Sequence, residues 1–217
     1  MIGLPAAVGG KRTARCGGGM QNDPSSRPRG AGKSSFELID AAELFRVLAP
    51  KPGGAWLDMG CGAGMYTLAM AERAGDGGLV HAVDLWAEGI GKLREEIGRR
   101  GLANIRPLVA DLGKPLPLRG DSMDGILMAA VLHDLREEGI QDGALAEVRR
   151  LLKRHGMFAV VEFKKIPGPP GPPVSVRLSP GDVGALVLPF GFRQTGLHEI
   201  GPYHYLMTFM PKVVCSA

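Results

Sequence analysis

Residues 55–74, AWLDMGCGAGMYTLAMAERA, divide into three unlike parts. Ala55 to Met59 is a short apolar run of the kind that fills a buried strand. Gly60, Cys61, Gly62, Ala63 and Gly64 form a tight turn, and Met65 to Ala74 carries a helical pattern. A strand, a glycine turn and a helix in this order are the opening unit of an open α/β sheet. The glycines recur at every second position. A dinucleotide fingerprint would need a glycine at 65, where Met65 stands. Taken alone, the glycines fit either a ligand-holding loop or a structural strand-to-helix turn.

A second glycine run lies upstream, and its end, Gly32–Lys33–Ser34, matches the end of a phosphate loop. The first glycine of that motif would fall at position 27, which is Arg27. The preceding residues, QNDPSSRP, cannot form a central strand. The run is instead the approach to a helix expected from Ser34 to just before Pro50. Ser34 and Glu37 would make its capping box, and Phe36, Ile39, Leu44, Phe45 and Leu48 its apolar face.

Downstream, LVHAVD (79–84), IRPLVA (105–110), GILMAAV (125–131) and MFAVVEF (157–163) read as further buried strands. Helical patterns occupy about 65–74, 87–101 and 143–154. A helix near 180–189 then precedes FRQTGLHEI and HYLMTFM, which have no helix between them and turn at Gly201–Pro202. The last two strands are therefore expected as an antiparallel hairpin on one edge of a parallel sheet.

Ligands of such sheets sit at the carboxyl ends of the strands. Asp58, Asp84, Asp111 and His133 all fall at or just past strand ends, and are expected to converge on one rim. An acid after the second strand can grip a ribose diol, and one after the third can accept from an adenine amine. His133, followed by Asp134, is a candidate general base, with a helix cap as its alternative role. Glu162, at the end of the fifth strand, is a second candidate base, with pairing to Lys164 or Lys165 as the alternative. Tyr203, His204 and Tyr205 are read as packing residues. The segment PGPPGPPVSVRLSP after the fifth strand reads as a stiff loop. Lys164, Lys165 and Arg177 beside it would suit an anionic acceptor or a solvated face.

Composition limits the partners. The net charge is +4, but Lys11, Arg12, Arg15, Arg27, Arg29 and Lys33 precede Ser35 against Asp23 alone. That leaves 20 of the 26 basic and 21 of the 22 acidic residues in the remainder. The basicity belongs to a Gly/Pro/Ser/Arg-rich leader, expected to be disordered over 1–33. It could touch a nucleic acid, though the near-neutral remainder argues against a nucleic acid as the substrate. No apolar run approaches a membrane span. Cys16, Cys61 and Cys215 form no CxxC pair, so neither a disulfide framework nor a zinc site is suggested, and a cytoplasmic location is expected.

From Ser34 onward the chain resembles the class I S-adenosylmethionine-dependent methyltransferases. The resemblance rests on the LDxGCGxG loop, the acids after the next two strands, and the segment LAEVRRLLKRHGMFAVVEF (145–163). It is similar in particular to small bacterial and archaeal methyltransferases with a VEFKK strand end and a GPYHYL last strand. The resemblance implies a Rossmann-like, doubly wound, seven-stranded, mostly parallel sheet whose last strand runs antiparallel, as one domain over 34–217. It implies S-adenosylmethionine as methyl donor, with no metal. Gly60, Gly62 and Gly64, with Cys61 among them, would pass close to the methionine part of the cofactor. Asp58 would order that loop and the amino group. Asp84 would bind the ribose, Leu85 would pack beside the adenine, Asp111 would accept the adenine amine and the Leu112 backbone would lie next to it. Ala129 and Ala130 would offer backbone groups near the methionine end. Lys33 and Ser35 would reach the methionine carboxylate. The expected activity is in-line methyl transfer to a small molecule. A cofactor-binding regulatory module, or an RNA methyltransferase using the basic leader, stays open as an alternative, as does the oligomeric state.

Overall fold

The computed structural model describes residues 30–212. The first 29 residues of the expected leader, with Cys16 and Cys215, lie outside them. Gly30 to Lys33, expected to end that leader, form a turn closed by the Lys33 N–H donating to the Gly30 carbonyl at 3.0 Å.

Seven strands make one sheet: β1 (Ala55–Met59), β2 (Leu79–Asp84), β3 (Ile105–Val109), β4 (Met123–Ala129), β5 (Leu152–Phe163), β6 (Phe192–Glu199) and β7 (His204–Pro211). Their order across the sheet is β3-β2-β1-β4-β5-β7-β6. Pairing is parallel from β3 to β5, and β7 runs antiparallel to both β5 and β6. The hairpin expected from Gly201–Pro202 is present, with its second strand inserted between β5 and its first.

The helices are α1 (Ala41–Leu48), α2 (Met65–Ala74), α3 (Ala87–Arg100), α4 (Leu132–Glu137), α5 (Gln141–Leu151) and α6 (Pro180–Val187). Strand alternation divides the core between the two faces. Leu57, Met59, Ile126, Met128, Phe158 and Val160 pack with residues of α4, α5 and α6. Trp56, Leu127, Ala159 and Val161 pack with residues of α1, α2 and α3. Adjacent residues of one strand thus serve opposite layers, the period-2 rule of a sheet covered on both sides.

Three boundaries differ from the sequence expectation. The helix expected from Ser34 begins only at Ala41, capped by Asp40, whose carboxylate accepts the Glu43 N–H at 3.0 Å. Before it comes a single 3-10 turn, Phe36–Leu38, and the Ser34 hydroxyl accepts only the Phe36 N–H. The expected strand 125–131 stops at Ala129 because Ala130 takes a left-handed φ of 54°, and α4 follows at once. Finally, α5 ends at Leu151, and β5 starts at Leu152, ahead of the expected 157. Its register shifts against β4 between Met123 and Gly125.

From β1 the chain moves outward to β2 and β3 on one side, and β4 opens the other. The carboxyl ends of β1 and β4 therefore flank a switch point, where an open sheet leaves a crevice.

Candidate functional site

A cleft of about 390 Å³ lies at that switch point. Its floor is the turn after β1, with Gly60, Cys61 and Gly62. One wall carries Asp84, Leu85 and Trp86 after β2, with Asp111 and Leu112 after β3. The other wall carries Ala129, Ala130 and Val131 after β4, with Asp134 and Leu135 of α4. Gly30 to Ser35 and Glu37 close the remaining side.

The Asp84 carboxylate orders the cleft. One oxygen accepts the Gly62 N–H at 2.7 Å and the other accepts the Trp86 N–H at 2.8 Å. Burial raises its pKa above the ordinary carboxylate value, while these backbone donors favour the charged form. Each carboxylate oxygen accepts about two hydrogen bonds, so the group retains acceptor capacity toward a diol. Asp111 accepts the Gly113 N–H at 2.9 Å through Oδ1 in the same manner.

The three glycines do different work. At Gly60 (φ 83°) a Cβ would stand 2.7 Å from Val131, and at Gly64 (φ 87°) 2.4 Å from Leu93. Both are required by the protein's own packing as well as by backbone conformation. At Gly62 (φ 56°) nothing stands within 4 Å of a Cβ, and the residue lines the cleft. Of the three, Gly62 is the one whose missing side chain leaves room for a ligand.

Asp58 sits behind the loop rather than in the cleft. It is 1% exposed and accepts the Thr67 hydroxyl at 2.6 Å, tying β1 to the first turn of α2. Among the described residues, its Oδ1 is buried with no partner. Burial, with the nearby Asp84 charge adding to it, pushes its pKa to about 7 against the Thr67 bond. Cys61 is buried in the cleft floor, where desolvation keeps its thiol protonated.

The side closed by residues 30–37 is fastened to α2. The Ser35 and Tyr66 hydroxyls are 2.8 Å apart and buried, and the Phe36 ring meets the Tyr66 ring edge-on at 5.0 Å. Burial holds the Tyr66 phenol well above its usual pKa. Ser35 is therefore committed to a protein partner, whereas Lys33 is exposed at the cleft.

The two candidate bases form one buried pair. Glu162 is 0% and His133 3% exposed. The His133 Nδ1 is 2.8 Å from Glu162 Oε2, and its backbone N–H donates to Glu162 Oε1 at 3.1 Å. Neither lines the cleft, and each satisfies the other in the buried interior. The alternative pairing of Glu162 with a lysine is not what the structure forms. Lys164 donates to the Gly201 carbonyl and contacts Glu199, and Lys165 pairs with Asp182 at 2.9 Å.

Arg177 does not face an acceptor either. It is 2% exposed, and its five N–H groups donate to the carbonyls of Lys164, Ile166, Gly168, Pro170 and Pro172 at 2.8–3.1 Å. The Gly/Pro loop is wound around one guanidinium. Tyr205 donates to the Leu178 carbonyl at 2.7 Å, and His204 packs on Phe163 with centroids 4.0 Å apart, both in packing roles.

Eleven of the thirteen residues expected to hold a cofactor line the cleft: Lys33, Ser35, Gly60, Cys61, Gly62, Asp84, Leu85, Asp111, Leu112, Ala129 and Ala130. Asp58 and Gly64 support it from behind. Sequence reasoning missed Tyr66, Trp86, Glu37, Leu135 and Ile140 as lining residues. Tyr66 carried a signal, a polar aromatic in the first turn after the glycine loop.

An open position over Gly62 and acids after β2 and β3 suit an adenosyl ligand. The comparisons agree with that fit. The family described as "Methyltransferase domain" matches residues 57–160. Nocamycin O-methyltransferase of Saccharothrix syringae is 31% identical over 152 residues, 68% of this chain and 50% of that protein. The ubiquinone/menaquinone biosynthesis C-methyltransferase of Bordetella avium is 32% identical over 125 residues, 56% of this chain and 46% of that one. A crystal structure of a SAM-dependent methyltransferase from Aquifex aeolicus superposes with a TM-score of 0.75 at 29% identity. That superposition covers 88% of this chain and 100% of the other. The chain spans about half the length of the two curated relatives and the whole of the Aquifex protein.

Proposed function

The chain belongs to the class I S-adenosylmethionine-dependent methyltransferases, and from that premise we propose that it methylates a small-molecule acceptor in the cleft described above. The observation that carries the proposal is the Asp84–Gly62 bond, which fixes a glycine loop with open space above it between two strand-end acids. S-adenosylmethionine supplies the activated methyl group, so the protein's task is to bind, orient and exclude water.

Asp84 would accept from the ribose hydroxyls through its remaining acceptor capacity, with Leu85 against the adenine. Asp111 would accept the adenine amine beside Leu112. Gly60 and Gly62, with Ala129 and Ala130, would border the methionine end. Lys33 would pair with the ligand carboxylate, and Ser35 would act through its bond to Tyr66. Burial of His133 and Glu162 supports a positioning role for them rather than direct proton abstraction. A small acceptor is supported by the names of the relatives, an O-methyltransferase for nocamycin and a C-methyltransferase of quinone biosynthesis.

Among the described residues no helix is long and apolar enough to cross a membrane. We place the reaction in the cytoplasm on the strength of three scattered cysteines with no CxxC pair in the sequence.

The test is turnover. The full chain with S-adenosylmethionine and a panel of phenols, hydroxyquinones and amines should release S-adenosylhomocysteine together with a product 14 mass units heavier, the difference between CH₃ and H (about 14 Da). Tight cofactor binding without product from any acceptor class would favour the regulatory-module alternative. Methylation of RNA alone would favour the RNA enzyme.

A further inference from the structure

Among the described residues, five carboxylates line the cleft, those of Glu37, Asp84, Asp111, Asp134 and Glu138, against one ammonium, that of Lys33. Their settings differ. Asp84 and Asp111 hold backbone N–H groups of their own turns, and Asp111 also meets the exposed Lys114 ammonium at 3.4 Å. Asp134 has a buried ring on its core side: its Oδ2 is 3.7 Å from Nε2 of His133. The opposite nitrogen, Nδ1, is 2.8 Å from Glu162.

Both ring nitrogens of His133 thus face carboxylate oxygens. The doubly protonated ring suits that arrangement, because a bare lone pair on Nε2 would face an anion. The bond from the His133 backbone N–H to Glu162 fixes the ring's orientation. Burial presses the ring toward neutrality, but the Glu162 bond and the charges of Glu162 and Asp134 outweigh it and the opposing Arg177. From core to cleft the row therefore reads anion, cation, anion, with Asp134 as its outermost member. The turn at Gly30 passes over it, since a Cβ on Gly30 would stand 3.2 Å from Asp134 Oδ2. A carboxylate so covered is screened less than one in open water.

Resting on the reading of the cleft as the S-adenosylmethionine site, we infer that Asp134 is a charge-selecting residue, favouring the sulfonium-bearing donor over the neutral thioether product. Donor and product differ by one methyl and one positive charge, so a fixed negative charge on the wall separates them. Among so many acids, a carboxylate without a cation behind it would tend to take up a proton. The 3.7 Å approach of the His133 ring favours the charged form of Asp134, and the Glu162 bond favours the charged form of His133.

The experiment is calorimetry on the full chain, with S-adenosylmethionine and S-adenosylhomocysteine titrated separately into wild type, Asp134→Asn and Asp134→Glu. Asparagine preserves the shape, so the change in the ratio of the two affinities isolates the charge. Asp134→Asn should cut the donor-to-product affinity ratio by about fivefold or more, and leave product affinity within about twofold. Asp134→Glu should retain most of the wild-type ratio. An unchanged ratio in Asp134→Asn, or an equal loss for both ligands, overturns the inference. Failure of the wild type to bind either ligand would instead remove the cofactor reading on which it rests.

Discussion

Asp84, at the end of β2, accepts the Gly62 N–H at 2.7 Å and so ties the glycine turn after β1 to the neighbouring strand. The residue read in the sequence as a ribose ligand is also the clamp that shapes the loop. On the proposed reading, ligand recognition and loop order would share one carboxylate.

Replacing Asp84 removes both functions. Asp84→Ala should weaken S-adenosylhomocysteine binding by about 1.5–3 kcal/mol, the range for hydrogen bonds to a charged group. Calorimetry with unchanged affinity would show that the carboxylate serves the loop alone.

The glycines should respond unequally. Gly60→Ala and Gly64→Ala drive a Cβ into Val131 and Leu93, and each should cost about 2–4 kcal/mol of stability from overpacking and left-handed strain. Gly62→Ala meets nothing, so about 1 kcal/mol of backbone strain is expected, together with a marked loss of ligand affinity. Denaturant melts beside binding isotherms check the pattern. Equal destabilisation by all three would contradict it.

Asp58 should make the protein less stable as pH rises. Its folded pKa of about 7 lies above the unfolded value near 4. Stability is thus fully present below about pH 4 and is lost as pH rises toward 7, by at most about 4 kcal/mol. Asp58→Asn keeps an acceptor for Thr67 and removes the titration. It should raise the melting temperature at pH 8 and change it little at pH 4. A larger gain at pH 4 than at pH 8 would reverse the assignment.

The His133–Glu162 pair works in the same direction at higher pH. The folded His133 value is raised, so its contribution is present below about pH 6.5, the free imidazole value, and fades as pH rises through the folded one. Glu162→Gln should cost about 3 kcal/mol near pH 6, the penalty for stranding a buried partner. The difference from wild type should narrow at alkaline pH. Melts across pH 5–9 showing a constant gap would argue against an ionised pair.

The Gly/Pro loop after β5 depends on Arg177. Arg177→Met strands five carbonyls and should destabilise the chain by about 2–4 kcal/mol. Hydrogen exchange should rise first in residues 164–178. Protection unchanged there would mean that the prolines alone hold the loop.

Elements whose boundaries depend on local pattern were legible in the sequence. β1, α2 and β2 end where apolar periodicity, Gly75 and Asp84 say they should. The cleft acids Asp84 and Asp111 were legible because strand ends must face the switch point. By contrast, the end of β4 turns on a left-handed Ala130, and an Ala-Ala pair carries no signal for that. The six-residue α4 lies just past the expected strand and is too short to carry a helical periodicity of its own. The start of α1 was misplaced because two capping patterns compete, Ser34 with Glu37 and Asp40 with Glu43, and only tertiary contact selects between them. Ser35 with Tyr66, and His133 with Glu162, join positions 31 and 29 residues apart. No periodicity links such partners, so Ser35 and His133 looked available for a ligand when each is committed to a protein partner.

The central claim is that the cleft over Gly62 holds the adenosyl cofactor. Titrating S-adenosylhomocysteine into the full chain, beside Gly62→Ala at equal folded stability, tests it most directly. The account predicts one saturable site per chain in the wild type and at least a roughly tenfold weaker one in the variant, a difference of about 1.4 kcal/mol. Saturable binding that is untouched by Gly62→Ala, or no binding by the folded wild type, would contradict it.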